Sequence, residues 1–80
     1  FNSNYGMKFQ WRALSAMALI GRERSTPELE MALKHNDWFM RNAGLVLLKE
    51  VNPDSAKVWA KKLLSDRSMI VRTEAVEVLR

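Results

Sequence analysis

The chain resembles itself at an interval of 31 residues, and few folds allow that within 80 residues. At this offset Leu33 falls on Leu64, Arg41 on Arg72 and Leu48 on Leu79. Trp38, Phe39 and Met40 fall on Met69, Ile70 and Val71, Gly44 falls on Ala75, and Leu45 and Leu47 fall on Val76 and Val78. In the other direction Phe9, Ala13, Leu14 and Met17 fall on Met40, Gly44, Leu45 and Leu48. Identities are few, yet apolar and small positions keep their register. Such a unit, read as helix, turn, helix, turn, predicts an all-α chain of two and a half repeats. Its five helices run in the order A-B-A-B-A.

Local signals place those helices. Residues 1–6, "FNSNYG", are polar and turn-rich and read as a frayed lead-in. A first helix follows from Met7 to Ile20, with Phe9, Ala13, Leu14, Ala16, Met17 and Ile20 as its apolar stripe and Gly21 as a left-handed stop. "GRERS" reads as a charged loop. Ser25 and Glu28 have capping-box spacing, with Pro27 in the first turn, so a second helix runs to Lys34 and points Leu29, Ala32 and Leu33 inward. Asn36 or Asp37 caps a third helix that runs to Glu50. "NPDS" ends it and opens a fourth, with Ala56, Trp59, Ala60, Leu63 and Leu64 inward and Lys57, Lys61 and Lys62 outward. "SDRS" introduces a fifth from Met69. The repeats therefore span residues 7–36 and 37–66, with a half repeat at 67–80, in one domain.

The third helix is apolar nearly all round, from Trp38 to Leu48. A middle helix in a stack of helix pairs is covered on several sides, which is what such a pattern requires. Small residues at Ala13, Gly44 and Ala75 mark where helices approach. Two and a half open repeats are few for a solenoid, so the chain is expected to pair through its fifth helix or to lean on further repeats of a longer protein.

Composition excludes several classes. The chain has no cysteine and a single histidine, His35, so disulfides and cysteine-ligated metals are ruled out and no metal or other cofactor is expected. A chain of this size buries only about 60% of its unfolded surface, so stability is marginal. The apolar runs are too short to cross a bilayer, and Arg12 interrupts Met7–Gly21, which reads as an amphipathic helix rather than a signal peptide. A cytoplasmic location fits the lack of cysteine. Net charge is +4, with five Lys/Arg against four Asp/Glu in residues 1–40 and eight against five in residues 41–80. That excess favours acidic partners.

The pattern resembles HEAT repeats, most closely the short HEAT-like repeats of phycobilisome lyases. "SDRSMIVRTEAVEVL" (residues 65–79) carries it best, and "HNDWFMRNAGLVLL" (residues 35–48) more loosely. In that family a turn aspartate precedes an A helix, then come an apolar residue, an arginine, and small and apolar residues at helical spacing. Asp66, Val71, Arg72, Ala75 and Leu79 match. His35 stands where Asp66 would align, with Asp37 two residues later, and Gln10 replaces the arginine of the first copy. The resemblance covers residues 7–80 and implies a short right-handed α-α superhelix.

Candidate sites follow. Arg41 and Arg72 repeat at the period and read as structural donors to backbone carbonyls or to a turn aspartate such as Asp66, rather than as a ladder for an acidic ligand. Lys34, Lys57, Lys61 and Lys62 form a basic B-helix face. The resemblance implies that B helices line the binding side of a superhelix, so these lysines are the expected contact for an acidic protein surface. The alternative partner is nucleic acid through phosphates, although no exposed aromatic is interleaved with the lysines. Trp11, Trp38 and Trp59 raise a further reading. "DWFMRNA" is similar to stretches of HEAT-like alkylpurine DNA glycosylases, so the chain could be part of such an enzyme or of a lyase. Packing between helices is the simpler role for the three tryptophans. Glu28, Glu30, Glu74 and Glu77 read as surface carboxylates, and no catalytic group can be placed. The chain is therefore expected to be a non-catalytic protein-interaction scaffold.

Overall fold

A computed structural model describes the backbone of residues 3–80 and side chains from Gln10 onward. It is all helical, with no strand among the described residues. Helix α1 spans Ser3–Gly21, a 3-10 turn Arg22–Ser25, α2 Thr26–Leu33, α3 Trp38–Val51, α4 Pro53–Leu63 and α5 Met69–Leu79. Backbone extents of 36 × 29 × 16 Å describe a slab little more than one helix layer thicker than a single helix.

Helix α3 occupies the centre and packs against α1, α2, α4 and α5. Met40, Arg41, Ala43, Gly44, Leu45, Leu48 and Val51 are all buried. At about 100° per residue these cover roughly 200° of its circumference. The rest is open: Trp38 is exposed, as is Val46, and Phe39 and Leu47 are half-buried. The apolar sequence of this helix thus serves four neighbours, but it is not enclosed all round.

Several local expectations are corrected. Residues 3–6 are helical rather than a frayed lead-in, and residues 1 and 2 lie outside the described ones. Gly21 is not left-handed: its φ is −83°, and Arg22 takes the positive φ of 52° instead. A Cβ at Gly21 would lie 2.5 Å from the Ser25 hydroxyl oxygen, so a larger residue there would push that hydroxyl off the Met17 carbonyl. Nor is there a capping box. The Ser25 hydroxyl donates to the Met17 carbonyl at 3.1 Å, and the "GRERS" loop winds into a 3-10 turn. Pro27 does sit in the first turn of α2.

The stripe assigned to α1 is rotated from the true one. Among its described side chains Leu14 and Ala18 are buried, whereas Ala13, Ala16 and Met17 are exposed and Ile20 is 82% exposed. The Phe9 side chain lies outside the described residues. Helix α1 is apolar on too many sides for periodicity alone to pick its buried face. In α4, Ala56, Ala60 and Leu63 are buried as expected, but Leu64 is exposed and Trp59 only half-buried.

Side-chain caps fix the starts of α3 and α4. The Asp37 carboxylate accepts from the Phe39 N–H at 2.9 Å at the start of α3. Asn52 ends α3 and opens α4, its Oδ1 accepting from Ser55 N–H at 3.3 Å while its Nδ2 donates to Thr26 Oγ1 at 3.2 Å. That second bond ties the α3–α4 corner to the start of α2.

Gly44 lies where α2 and α3 meet most closely. An added Cβ would stand 3.0 Å from Ala32 Cβ and 3.2 Å from the Leu29 carbonyl oxygen. Gly44→Ala gains about 1 kcal/mol of helix propensity against this crowding. Gly44→Leu has no such room, and should destabilise the chain by about 2 kcal/mol or more. Chemical denaturation of the two variants checks this, with Gly44→Ala near wild type and Gly44→Leu well below it.

Candidate functional site

Two polar constellations stand out, one buried between helices and one on the surface. The first is built on Arg41, which is 7% exposed. Its Nε and Nη2 donate to the two oxygens of Asp66 at 2.8 and 2.9 Å, a bidentate pair. Its Nη1 donates to the carbonyls of His35 and Asn36 at 2.9 and 2.8 Å. One guanidinium thereby joins α3, the turn before it and the turn before α5.

These bonds recur at the period of the sequence. Arg72 Nη1 donates to the Asp66 carbonyl at 2.7 Å, 31 residues after Arg41 donates to the His35 carbonyl. Asp66 Oδ1 accepts from the Ser68 N–H at 2.9 Å, and His35 Nδ1 accepts from the Asp37 N–H at 3.0 Å. The imidazole therefore performs the local task of the aspartate it replaces, which places its ring proton on Nε2. What it lacks is the charge to hold an arginine, and position 10, one period before Arg41, is glutamine. Gln10 and His35 line an apolar groove of about 460 Å³ with Met17, Met31 and Met40. The groove lies at the period-equivalent of the space that the Arg41–Asp66 pair bridges.

For Asp66, burial acts to raise the carboxyl pKa. Hydrogen bonds from Arg41 and the Ser68 N–H, with the charges of Arg41 and Arg67, outweigh it and hold the group below its ordinary 3.8.

The second constellation centres on Trp59. Its indole N–H donates to Glu30 Oε2 at 2.8 Å. The Lys62 and Lys34 ammoniums lie 4.6 and 5.9 Å from its ring centroid. Glu30 and Lys34 come from α2 and its end, Trp59 and Lys62 from α4. Four residues from two helices thus form one polar platform.

The predicted basic face is divided by this arrangement. Lys34 and Lys62 converge on Trp59. Lys57 and Lys61 are exposed but project from another arc of α4, with exposed Val58 between the two groups. Trp59, expected to point inward, and Glu30, expected to be a surface carboxylate, are joined in this site. The signal was present in the spacing, since Trp59 and Lys62 are three apart on one helix. Its link to Glu30 and Lys34 depends on how α2 and α4 pack.

The other tryptophans lie on the opposite helices. Trp11 and Trp38 each meet Phe39 edge to face, at 6.4 and 5.8 Å between centroids. Both are substantially exposed, so they frame the margin of the apolar interior rather than fill it. Among the described residues no group of three His, Asp or Glu is positioned for a metal ion. No helix there is long and apolar enough to cross a membrane. Comparison with known protein families, curated proteins and solved structures finds no match.

The lowered Asp66 pKa sets the sign of a pH effect. A carboxylate depressed on folding contributes stability above its unfolded value, lost as pH falls through the folded value. Asp66→Asn should therefore be clearly less stable than wild type at pH 7. The gap should narrow once pH drops below about 4. Thermal unfolding of both proteins between pH 3 and 7 measures this.

Proposed function

We propose that this chain is a non-catalytic interaction module that binds an acidic protein surface through the platform at Trp59, Lys34 and Lys62. The observation that carries the reading is the platform itself. Two ammoniums are held beside a half-buried indole whose own N–H is fixed by Glu30. The lysines are thereby positioned in advance, which reduces the entropy lost when a carboxylate-bearing partner docks. Tryptophan is also among the residues most enriched at the energetic centres of interfaces.

The scaffold reading rests on the same internal recurrence. A 31-residue sequence period, with backbone and side-chain hydrogen bonds repeated at that interval, supports a short right-handed stack of HEAT-like hairpins. On that reading α2 and α4 are B helices, and the Trp59 platform lies on their shared side. The absence of any catalytic constellation in the sequence supports a binding role over an enzymatic one.

A nucleic-acid reading gains an aromatic among the lysines, but not a stacking platform. The Trp59 ring is half-buried and already lies against two ammoniums, which leaves little open face for a base.

Charge reversal tests the proposal. With glutamate-rich peptides as probes, Lys34→Glu with Lys62→Glu should lower affinity by at least tenfold, a change of about 1.4 kcal/mol. Lys57→Glu should have a smaller effect. Trp59 fluorescence should change on binding. Equal affinity of the double variant and wild type would contradict the proposal. Tighter binding to single-stranded DNA than to acidic peptide, with a steep salt dependence, would favour the alternative.

A further inference from the structure

Helix α5 repeats a stripe that is buried on α3, and on α5 that stripe is open. In α3 the stripe is Arg41, Leu45 and Leu48, with the arginine 7% exposed and both leucines fully buried. One period later it is Arg72, Val76 and Leu79, at the same i, i+4, i+7 spacing. Val76 is 47% exposed and Leu79 half-buried, and Met69 beside them is 69% exposed.

The two arginines are held alike on one side only. Each Nη1 donates to the carbonyl of the residue six positions earlier, at 2.9 Å for Arg41 and 2.7 Å for Arg72. Arg41 then directs Nε and Nη2 onto Asp66, the turn carboxylate that precedes α5. The same fork of Arg72 meets no carboxylate among the described residues. Its guanidinium is oriented by the Asp66 carbonyl with a bidentate face still to be filled.

We infer that the Arg72–Val76–Leu79 flank is a docking site for a helix of a partner protein whose preceding turn carries an aspartate. The carboxylate takes the Nε and Nη2 face of Arg72. The partner helix lays its apolar residues on Val76, Leu79 and Met69, as α5 and its turn pack on α3.

A second copy of this chain is a poor occupant. Asp66 is already held by Arg41, and Asp37 opens α3, which is packed against four helices of its own chain and is not free to lie on another α5. Asp54, in the first turn of α4, is followed along the exposed face by Lys57 and Lys61, which would be brought toward Arg72. The chain as a whole carries a net charge of +4, so self-association brings like charges together.

The segment that fills the equivalent place on α3 supplies a defined probe. A helix-stapled peptide of the sequence Ser65–Leu79, titrated into the isotope-labelled full chain, should shift the amides of Arg72, Val76 and Leu79. Replacing the peptide's aspartate by asparagine should weaken binding roughly tenfold or more. Arg72→Gln in the chain should do the same. Because Arg72 also holds the Asp66 carbonyl, Val76→Glu provides a second variant at an exposed site, and it too should abolish binding while circular dichroism stays unchanged. Three results would overturn the inference. They are no binding at millimolar peptide, binding indifferent to the aspartate, and shifts centred on Leu45 and Leu48, which would mean that the peptide displaces α5. Sedimentation showing a dimer that Val76→Glu dissolves would assign the flank to a second copy and overturn it as well.

Discussion

The structure hangs on one guanidinium. Arg41 makes four hydrogen bonds, two to the Asp66 carboxylate and two to backbone carbonyls of the turn before its own helix. In a chain without disulfides, this pair is the strongest directional link across 25 residues of sequence. A buried charge pair of this kind is not automatically a source of net stability, because both ions lose hydration. What it does provide is register. Apolar residues cover α3 over a wide arc and would tolerate small slides of one helix on another. A bidentate fork tolerates none, so it fixes where the α4–α5 turn meets α3.

That fixed register explains how the rest is arranged. Once the turn at Asp66 is anchored, α4 is held against α3 and α5, and the long side chain of Trp59 reaches Glu30 and Lys34 of the α2 segment. The surface platform is thus a consequence of the buried pair, together with the close approach of α2 and α3 at Gly44. The start of the chain is less constrained. There Gln10 and His35 occupy the places of Arg41 and Asp66, and a methionine-lined groove lies between them. Methionine suits such a space, since its flexible side chain fills irregular gaps.

Much of this was legible in the sequence, and the remainder was not for identifiable reasons. The helical class, the Asp37 and Asn52 junctions, and the inward set Leu29, Ala32 and Leu33 follow from caps and spacing, which are local properties. The face of α1 was misjudged because Leu19, Ile20 and Met17 compete with Leu14 and Ala18 at nearly equal spacing. Only the angle at which α1 meets α3 decides among them. Gly21 misled for a different reason: glycine near a helix end suggests a left-handed residue, yet here Arg22 takes the positive φ and Gly21 lies against the Ser25 hydroxyl. The Trp59 site was missed because a tryptophan on the inward side of a helical wheel reads as buried. Lys62 is a local neighbour, but Glu30 and Lys34 come from the α2 segment, about 25 to 29 residues away, and no local pattern reveals them.

The central claim, that Arg41 and Asp66 act as one unit that sets the packing of α3 against the α4–α5 hairpin, is most directly tested by a double-mutant cycle. Arg41→Met, Asp66→Asn and the double variant would be compared with wild type by denaturant unfolding at pH 7. A coupling energy of about 2 kcal/mol or more, with the double variant less impaired than the sum of the single ones, is the predicted result. Additive effects within about 0.5 kcal/mol would show that the two residues act independently and would contradict the account.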